Sequence, residues 1–220
     1  MTAPGPARAR EPSGVLVESG CASCHRLEAP DPTEVTVEAL SERRAPDLFY
    51  AGVKYQPEWL RRWLAEPVRV RPAGMFPAAN TTPGGEGDDV VDESNLTPHA
   101  PVAAESLDAV VAALGDLRWG AERLAQPPPD VPAVPPVLAK LNFEKFKGCG
   151  SCHRTAPHVG GVSGPELYDA YDRLQAPFLW SYLGDPQAWD PVAPMPDYGL
   201  QEGEVGKLIA YLATLSGGQP

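Results

Sequence analysis

The sequence predicts an all-α chain of two tandem domains. Three observations carry that expectation. First, apolar residues recur at helical spacing in several stretches, and no strand-length run alternates apolar with polar. Second, two long segments repeat one another: "PDLFYAGVKYQPEWLRRWLAEPVRVRPAGM" begins at Pro46 and "PELYDAYDRLQAPFLWSYLGDPQAWDPVAPM" at Pro165. Trp59, Leu60, Trp63, Leu64 and Pro67 fall on Phe178, Leu179, Tyr182, Leu183 and Pro186 without a gap, which marks the duplication of one unit. Third, "QPPPDVPAVPP" at 126–136 interrupts regular structure and separates the two copies as a semi-rigid linker.

The chain of 220 residues suits two domains of about 100 residues each. The first is expected over 12–118, the linker over 119–136 and the second domain over 137–217. A short helix is expected within 12–25. "QPEWLRRWLAE", from Gln56, places Pro57 at a helix start and follows it with an apolar stripe of Trp59, Leu60, Trp63 and Leu64. "ESLDAVVAALGDL" repeats Leu107, Val110, Val111, Leu114 and Leu117 with helical period. The second copy opens with "VLAKLNFEKFKG", a helix carrying Leu138, Leu141 and Phe146. "GPELYDAYDRL", "PFLWSYLGD" and "GEVGKLIAYLATLSG" follow. The last gathers Leu208, Tyr211, Leu212 and Leu215 on one face and stops at Gly217.

The four cysteines are Cys21, Cys24, Cys149 and Cys152. They lie in "SGCASCHR" and "KGCGSCHR", so each copy reads Cys-x-x-Cys-His, with His25 or His153 directly after the second cysteine. This spacing is that of a c-type haem attachment site. Two thiols one helical turn apart can add to the two vinyl groups of one haem, and the next residue then turns toward the iron as its proximal ligand. A zinc site could use two Cys-x-x-Cys pairs, but it does not account for a histidine at the same offset in both. A thioredoxin-like pair would occur once, beside a βαβ pattern. Two disulfides closing loops this small would be unusual.

A second iron ligand has few candidates. Apart from the start residue, the methionines are Met75, in "RPAGMFP", and Met195, in "VAPMPDYG". Proline stiffens both loops, where a thioether is better explained as a ligand than as core filler. The remaining histidines are His99 and His158. His99, in "LTPHAPV", is the weaker alternative to Met75, and His158 follows His153 so closely that it reads as a loop residue. Tyr55, Trp59 and Trp63 are candidates to touch haem, with core packing the stronger reading.

With these motifs in hand, each half resembles a class I cytochrome c domain, and the chain resembles a dihaem cytochrome c of two fused domains, over roughly 12–118 and 137–217. The resemblance implies two tandem helical domains, each wrapped around one covalent haem c, with His25 and Met75 on one iron and His153 and Met195 on the other. It also implies that the carbonyls of Pro46 and Pro165 accept a hydrogen bond from the ligand histidines. In each domain the first and last helices would cross; in the second, Phe143 or Phe146 would meet Tyr211 or Leu212. The chain departs from the compact family pattern by insertions near 27–45 and 78–104. These are either a partner-docking loop or solvated acidic segments.

The function implied by the resemblance is electron transfer, as a periplasmic carrier or as the cytochrome c subunit of a respiratory oxidoreductase complex, and not catalysis. Bc-type complexes, nitrate reductases and terminal oxidases are the neighbours it suggests. The alternative is a dihaem enzyme, such as a peroxidase or thiosulfate dehydrogenase, with one open or differently ligated haem. Unequal insertions lead us to expect two distinguishable reduction potentials.

The net charge of −11 argues against nucleic acid and favours redox partners with a basic docking surface. No apolar run is long enough to span a membrane. Covalent attachment of this kind implies an extracytoplasmic setting. "MTAPGPARAREPSG" has no apolar signal core, so we read the chain as already processed behind a starting methionine.

Overall fold

The computed structural model describes residues 14–85, 89–124 and 133–216. Residues 125–132 of the expected linker, the first residues of the expected 12–25 helix and the expected stop at Gly217 lie outside the described residues. Helices dominate and the strands are short. The first half holds α1 (Gly14–Glu18), α2 (Val37–Ser41), α3 (Ala51–Lys54), α4 (Pro57–Ala65) and α5 (Ala104–Gly115). The second holds α6 (Pro136–Leu141), which continues as a π-turn over Asn142–Phe146, then α7 (Ala170–Arg173), α8 (Ala176–Gly184) and α9 (Glu202–Ser216). No helix among the described residues is long and apolar enough to cross a membrane.

Two small antiparallel hairpins add to the expected helices. β1 (Thr81–Pro83) pairs with β2 (Asp89–Val91), and β3 (Arg154–Ala156) with β4 (Val159–Gly160). Strands this short cannot display an alternating pattern, so the sequence carries no period-2 signal for them.

Each half has its own core. In the first, Leu16 of α1 is fully buried against a cluster that includes Leu60 and Leu64 of α4 and Leu107, Val110 and Leu114 of α5. Leu16, with Val15 beside it, thus joins α1 to α5, the last helix of the first half. A Cβ on Gly52 would sit 2.1 Å from the Gly115 carbonyl oxygen, so α3 and α5 approach backbone to backbone. In the second half, Phe143 meets Tyr211 with ring centroids 4.9 Å apart. Phe146 is instead 73% exposed, and Leu138 and Leu141 are also exposed. Ala139, Asn142 and Phe143 form the buried face at ordinary helical spacing, with Leu138 and Leu141 off it, and the π-turn that follows carries Phe146 off the same face by inserting a residue into the repeat.

The two halves pack about a local twofold that matches the sequence repeat. The Gln56 N–H donates to the Arg173 carbonyl and the Gln175 N–H to the Lys54 carbonyl, both at 2.9 Å. Residues 56 and 175, and 54 and 173, are repeat equivalents. So are Tyr55 and Leu174, which form an antiparallel bridge. The Arg173 guanidinium lies 5.8 Å from the Trp59 ring centre, and the Lys54 ammonium 5.7 Å from that of the equivalent Phe178. Reciprocal contacts between equivalent residues define an isologous interface, here within one chain. A buried cluster of Phe49, Tyr50, Val53, Phe178 and Trp189 seals it.

Candidate functional site

The two Cys-x-x-Cys-His segments fold alike. Each begins at a glycine in the left-handed region, Gly20 at φ 79° and Gly148 at φ 65°, where a side chain would be strained. A single 3₁₀ turn follows, over Cys21–Ser23 and Cys149–Ser151. The hydroxyls of Ser23 and Ser151 donate to the Gly20 and Gly148 carbonyls at 2.7 Å. The N–H of His25 then donates to the Cys21 carbonyl at 3.0 Å, and that of His153 to Cys149 at 3.1 Å. This turn carries both cysteines and the histidine of each segment on one short stretch of backbone. All four thiols are unbridged: Cys24 and Cys152 are exposed, and Cys21 and Cys149 half-buried. Burial pushes the Cys21 and Cys149 thiols up. Among the described residues no three His, Cys, Asp or Glu side chains gather as a metal cluster, so the two pairs do not converge as a zinc site requires.

His25 Nδ1 donates to the Pro46 carbonyl at 2.7 Å, and His153 Nδ1 to the Pro165 carbonyl at 2.7 Å. A carbonyl can only accept, so each Nδ1 carries the proton and each Nε2 keeps its lone pair. Burial lowers the pKa of both imidazoles, with the proline carbonyl bonds opposing it. Both rings are therefore neutral donors of fixed tautomer near neutral pH.

Sequence reasoning missed the latch that holds these bonds. The residue after each histidine pairs with the residue after each proline: Arg26 with Asp47 at 3.0 Å, and Arg154 with Glu166 at 3.1 Å. The backbone repeats the link, Leu48 N–H to the Arg26 carbonyl at 2.9 Å and Leu167 N–H to Arg154 at 2.8 Å. The signal was present in the sequence, in the paired "CHR" and in the acid that follows each proline. Behind His153 the backbone passes so closely that a Cβ on Gly164 would lie 2.5 Å from ring atoms.

In the first half the latch extends across the interface. Arg43, from the first insertion, pairs with Asp47 at 2.9 Å and with Asp190 of the second half at 2.7 Å. All three side chains are largely buried. Burial raises the Asp47 carboxyl above its ordinary value, although Arg43 and Arg26 pull it down.

The candidate second ligands are placed differently. Met75 and Met195 are half-buried in loops. The Met195 carbonyl accepts from Gln187 Nε2 at 2.8 Å. The Met75 loop turns through Gly74, at φ 74°, and is anchored to the second half: Ala73 N–H donates to the Val162 carbonyl at 3.3 Å and Glu166 N–H to Val70 at 2.8 Å. His158 lies exposed in the turn between β3 and β4, at φ 62°, consistent with a loop residue. His99 lies beside His25, ring centroids 6.1 Å apart, and 4.7 Å from Trp63. Trp63 stacks on Trp59 and Trp59 on Tyr55, each at 5.6 Å, so the aromatic residues form one half-buried row.

The donor set at each segment, two unbridged thiols and a neutral imidazole whose Nδ1 is held by a proline carbonyl, fits a covalently held haem, and at His153 the backbone at Gly164 also packs against the ring. Comparison of the chain with family models, curated proteins and solved structures found no match.

Proposed function

We propose that the protein is an electron-transfer protein that holds two haem c groups, one at Cys21, Cys24 and His25 and one at Cys149, Cys152 and His153. The observation that carries this reading is the duplicated latch. Two Cys-x-x-Cys-His segments each tie the histidine Nδ1 to a proline carbonyl at 2.7 Å and leave Nε2 as a lone-pair donor. Bound haem supplies a one-electron iron couple that a second axial ligand tunes.

The protein's own residues perform the remaining tasks. The cysteines would anchor the macrocycles, and the histidines would bind the irons. The Pro46 and Pro165 carbonyls fix the imidazole orientation and make each ring a stronger donor. Arg26–Asp47 and Arg154–Glu166 hold those carbonyls against the segments that present the histidines. Met195 would complete the second site, and Met75 or His99 the first. The local twofold keeps the halves in a fixed relation, as a two-centre relay needs. The acidic charge suits a partner with a basic docking surface, and the chemistry of attachment suits a periplasmic or other extracytoplasmic setting.

Expression with the cellular machinery for covalent haem attachment tests the reading. The expected product carries two haems per chain, shows a low-spin spectrum and cycles reversibly between ferric and ferrous states. A chain that takes up no haem would overturn it. A high-spin centre that turns over peroxide would favour the dihaem enzyme instead.

A further inference from the structure

We propose that His99 is the second axial ligand of the first iron, so that the first centre is bis-histidine while the second retains methionine. This inference rests on the two-haem reading above.

The argument begins with a distance. A metal–imidazole bond is about 2 Å and the ligating nitrogen lies about 1.1 Å from its ring centre, so two imidazoles on opposite faces of one iron have centroids about 6.2 Å apart. The His25 and His99 centroids are 6.1 Å apart. Both ligand planes contain the axis through the metal, which leaves the angle between them free; the observed 52° is therefore compatible.

The protonation pattern points the same way. His99 Nδ1 donates to the Ala100 carbonyl at 2.7 Å, which leaves Nε2 as the ring nitrogen that can face a metal. His25 has the same tautomer, set by Pro46. Each ring thus offers Nε2 to a metal and commits Nδ1 to a backbone acceptor, the usual arrangement of ligating histidines.

The backbone around His99 is anchored. Val102 N–H donates to the Leu64 carbonyl at 2.8 Å, joining the segment to the end of α4. Trp63 supports the ring from one side, its own Nε1–H held by the Val68 carbonyl at 2.8 Å. The second insertion, with its β1–β2 hairpin, leads the chain to this point. Asp92 N–H donates to the Asn80 carbonyl at 2.8 Å. Leu96 lies so close over Gly74 that a Cβ there would meet it at 2.8 Å. The insertion therefore folds back over the loop that bears Met75, and that loop is bonded to the second half. The second half has no counterpart: His99 and His158 are both exposed, but His158 sits in the turn between β3 and β4 and, among the described residues, makes no ring contact with His153 like that of His99 with His25.

The test is spectroscopic and uses the two-haem protein. Ferric haem with methionine on iron shows a weak charge-transfer band at the red edge of the visible spectrum. Wild type should show it at the intensity of one haem per two, lost in Met195→Ala and kept in Met75→Ala. His99→Ala should convert half of the haem from low to high spin, and added imidazole should restore it. His99→Met is a second, milder variant, expected to stay low-spin and to double the band. A band of two-haem intensity in wild type would overturn the assignment, as would loss of half of it in Met75→Ala while His99→Ala stays fully low-spin. In either case haem content remains two per chain and the electron-transfer reading stands. Failure of that reading would appear separately, as absence of covalent haem.

Discussion

His25 and His153 are held by the same devices. Each follows a glycine-initiated 3₁₀ turn, donates through Nδ1 to a proline carbonyl at 2.7 Å and is clamped by an arginine–carboxylate pair. Beyond the latch the halves diverge. Repeat position 45 is alanine in the first half, whereas its equivalent, Gly164, is glycine because the His153 ring leaves no room for a Cβ. Arg43 binds the first latch to the other half, while Arg154 and Glu166 pair within their own. His99 stands beside His25 and has no partner in kind beside His153. The duplicated units share what orients the histidine, and they differ in what surrounds it. Since the axial donor and its surroundings set a haem potential, two copies of one unit can supply two different potentials.

The comparison can be broken at its largest feature first. Cys149→Ala with Cys152→Ala should remove one of two haems and leave the first centre's spectrum intact, measured by haem content and intact mass. The same pair of changes at Cys21 and Cys24 should leave only the spectrum of the second centre. If either double variant lost both haems, the halves would not be independent binding units.

Arg43→Ala is next. It leaves Asp47 and Asp190 buried with fewer partners, and breaking a buried pair from one side costs about 3–5 kcal/mol. Arg154→Ala, which removes one pair within its half, should cost less, about 1–3 kcal/mol. Denaturant unfolding of the two variants compares them directly, and equal losses would remove the special status of the bridging arginine.

A smaller effect separates the two latches. Gly164→Ala should displace the His153 ring and shift the potential of the second centre alone, whereas Ala45→Gly should cost about 0.5–1 kcal/mol through backbone entropy and leave both potentials in place. A redox titration reads both.

The smallest concerns the interface. Gln175 Nε2 donates to the Gly52 carbonyl at 3.1 Å and to Tyr55 at 2.8 Å, while the equivalent Gln56 reaches the Leu174 carbonyl only at 3.5 Å. Gln175→Ala should therefore cost about 1–2 kcal/mol and Gln56→Ala about 0.5 kcal/mol or less. A thermal melt in which Gln56→Ala is the more damaging change would contradict the asymmetry.

Much of this was legible in the sequence, because local patterns are what a sequence displays. Pro57 and the Leu60–Leu64 spacing mark α4, and glycine before each Cys-x-x-Cys-His marks its turn. The hydrogen bonds to Pro46 and Pro165 are those the family resemblance implies. What stayed hidden depends on contacts between distant residues or on small irregularities. The π-turn at Asn142–Phe146 reverses the exposure of Phe146 and cannot be read from an apolar stripe. Arg43 looks like one more surface arginine until folding brings Asp190 to it. His99 lies some seventy residues from His25, and only the folded insertion brings the two rings together.

The most direct measurement is the intact mass of the chain produced with covalent haem attachment, followed by peptide mapping. The account predicts a gain of two haems, one on the peptide bearing Cys21 and Cys24 and one on that bearing Cys149 and Cys152. An unmodified mass with four free thiols would contradict it.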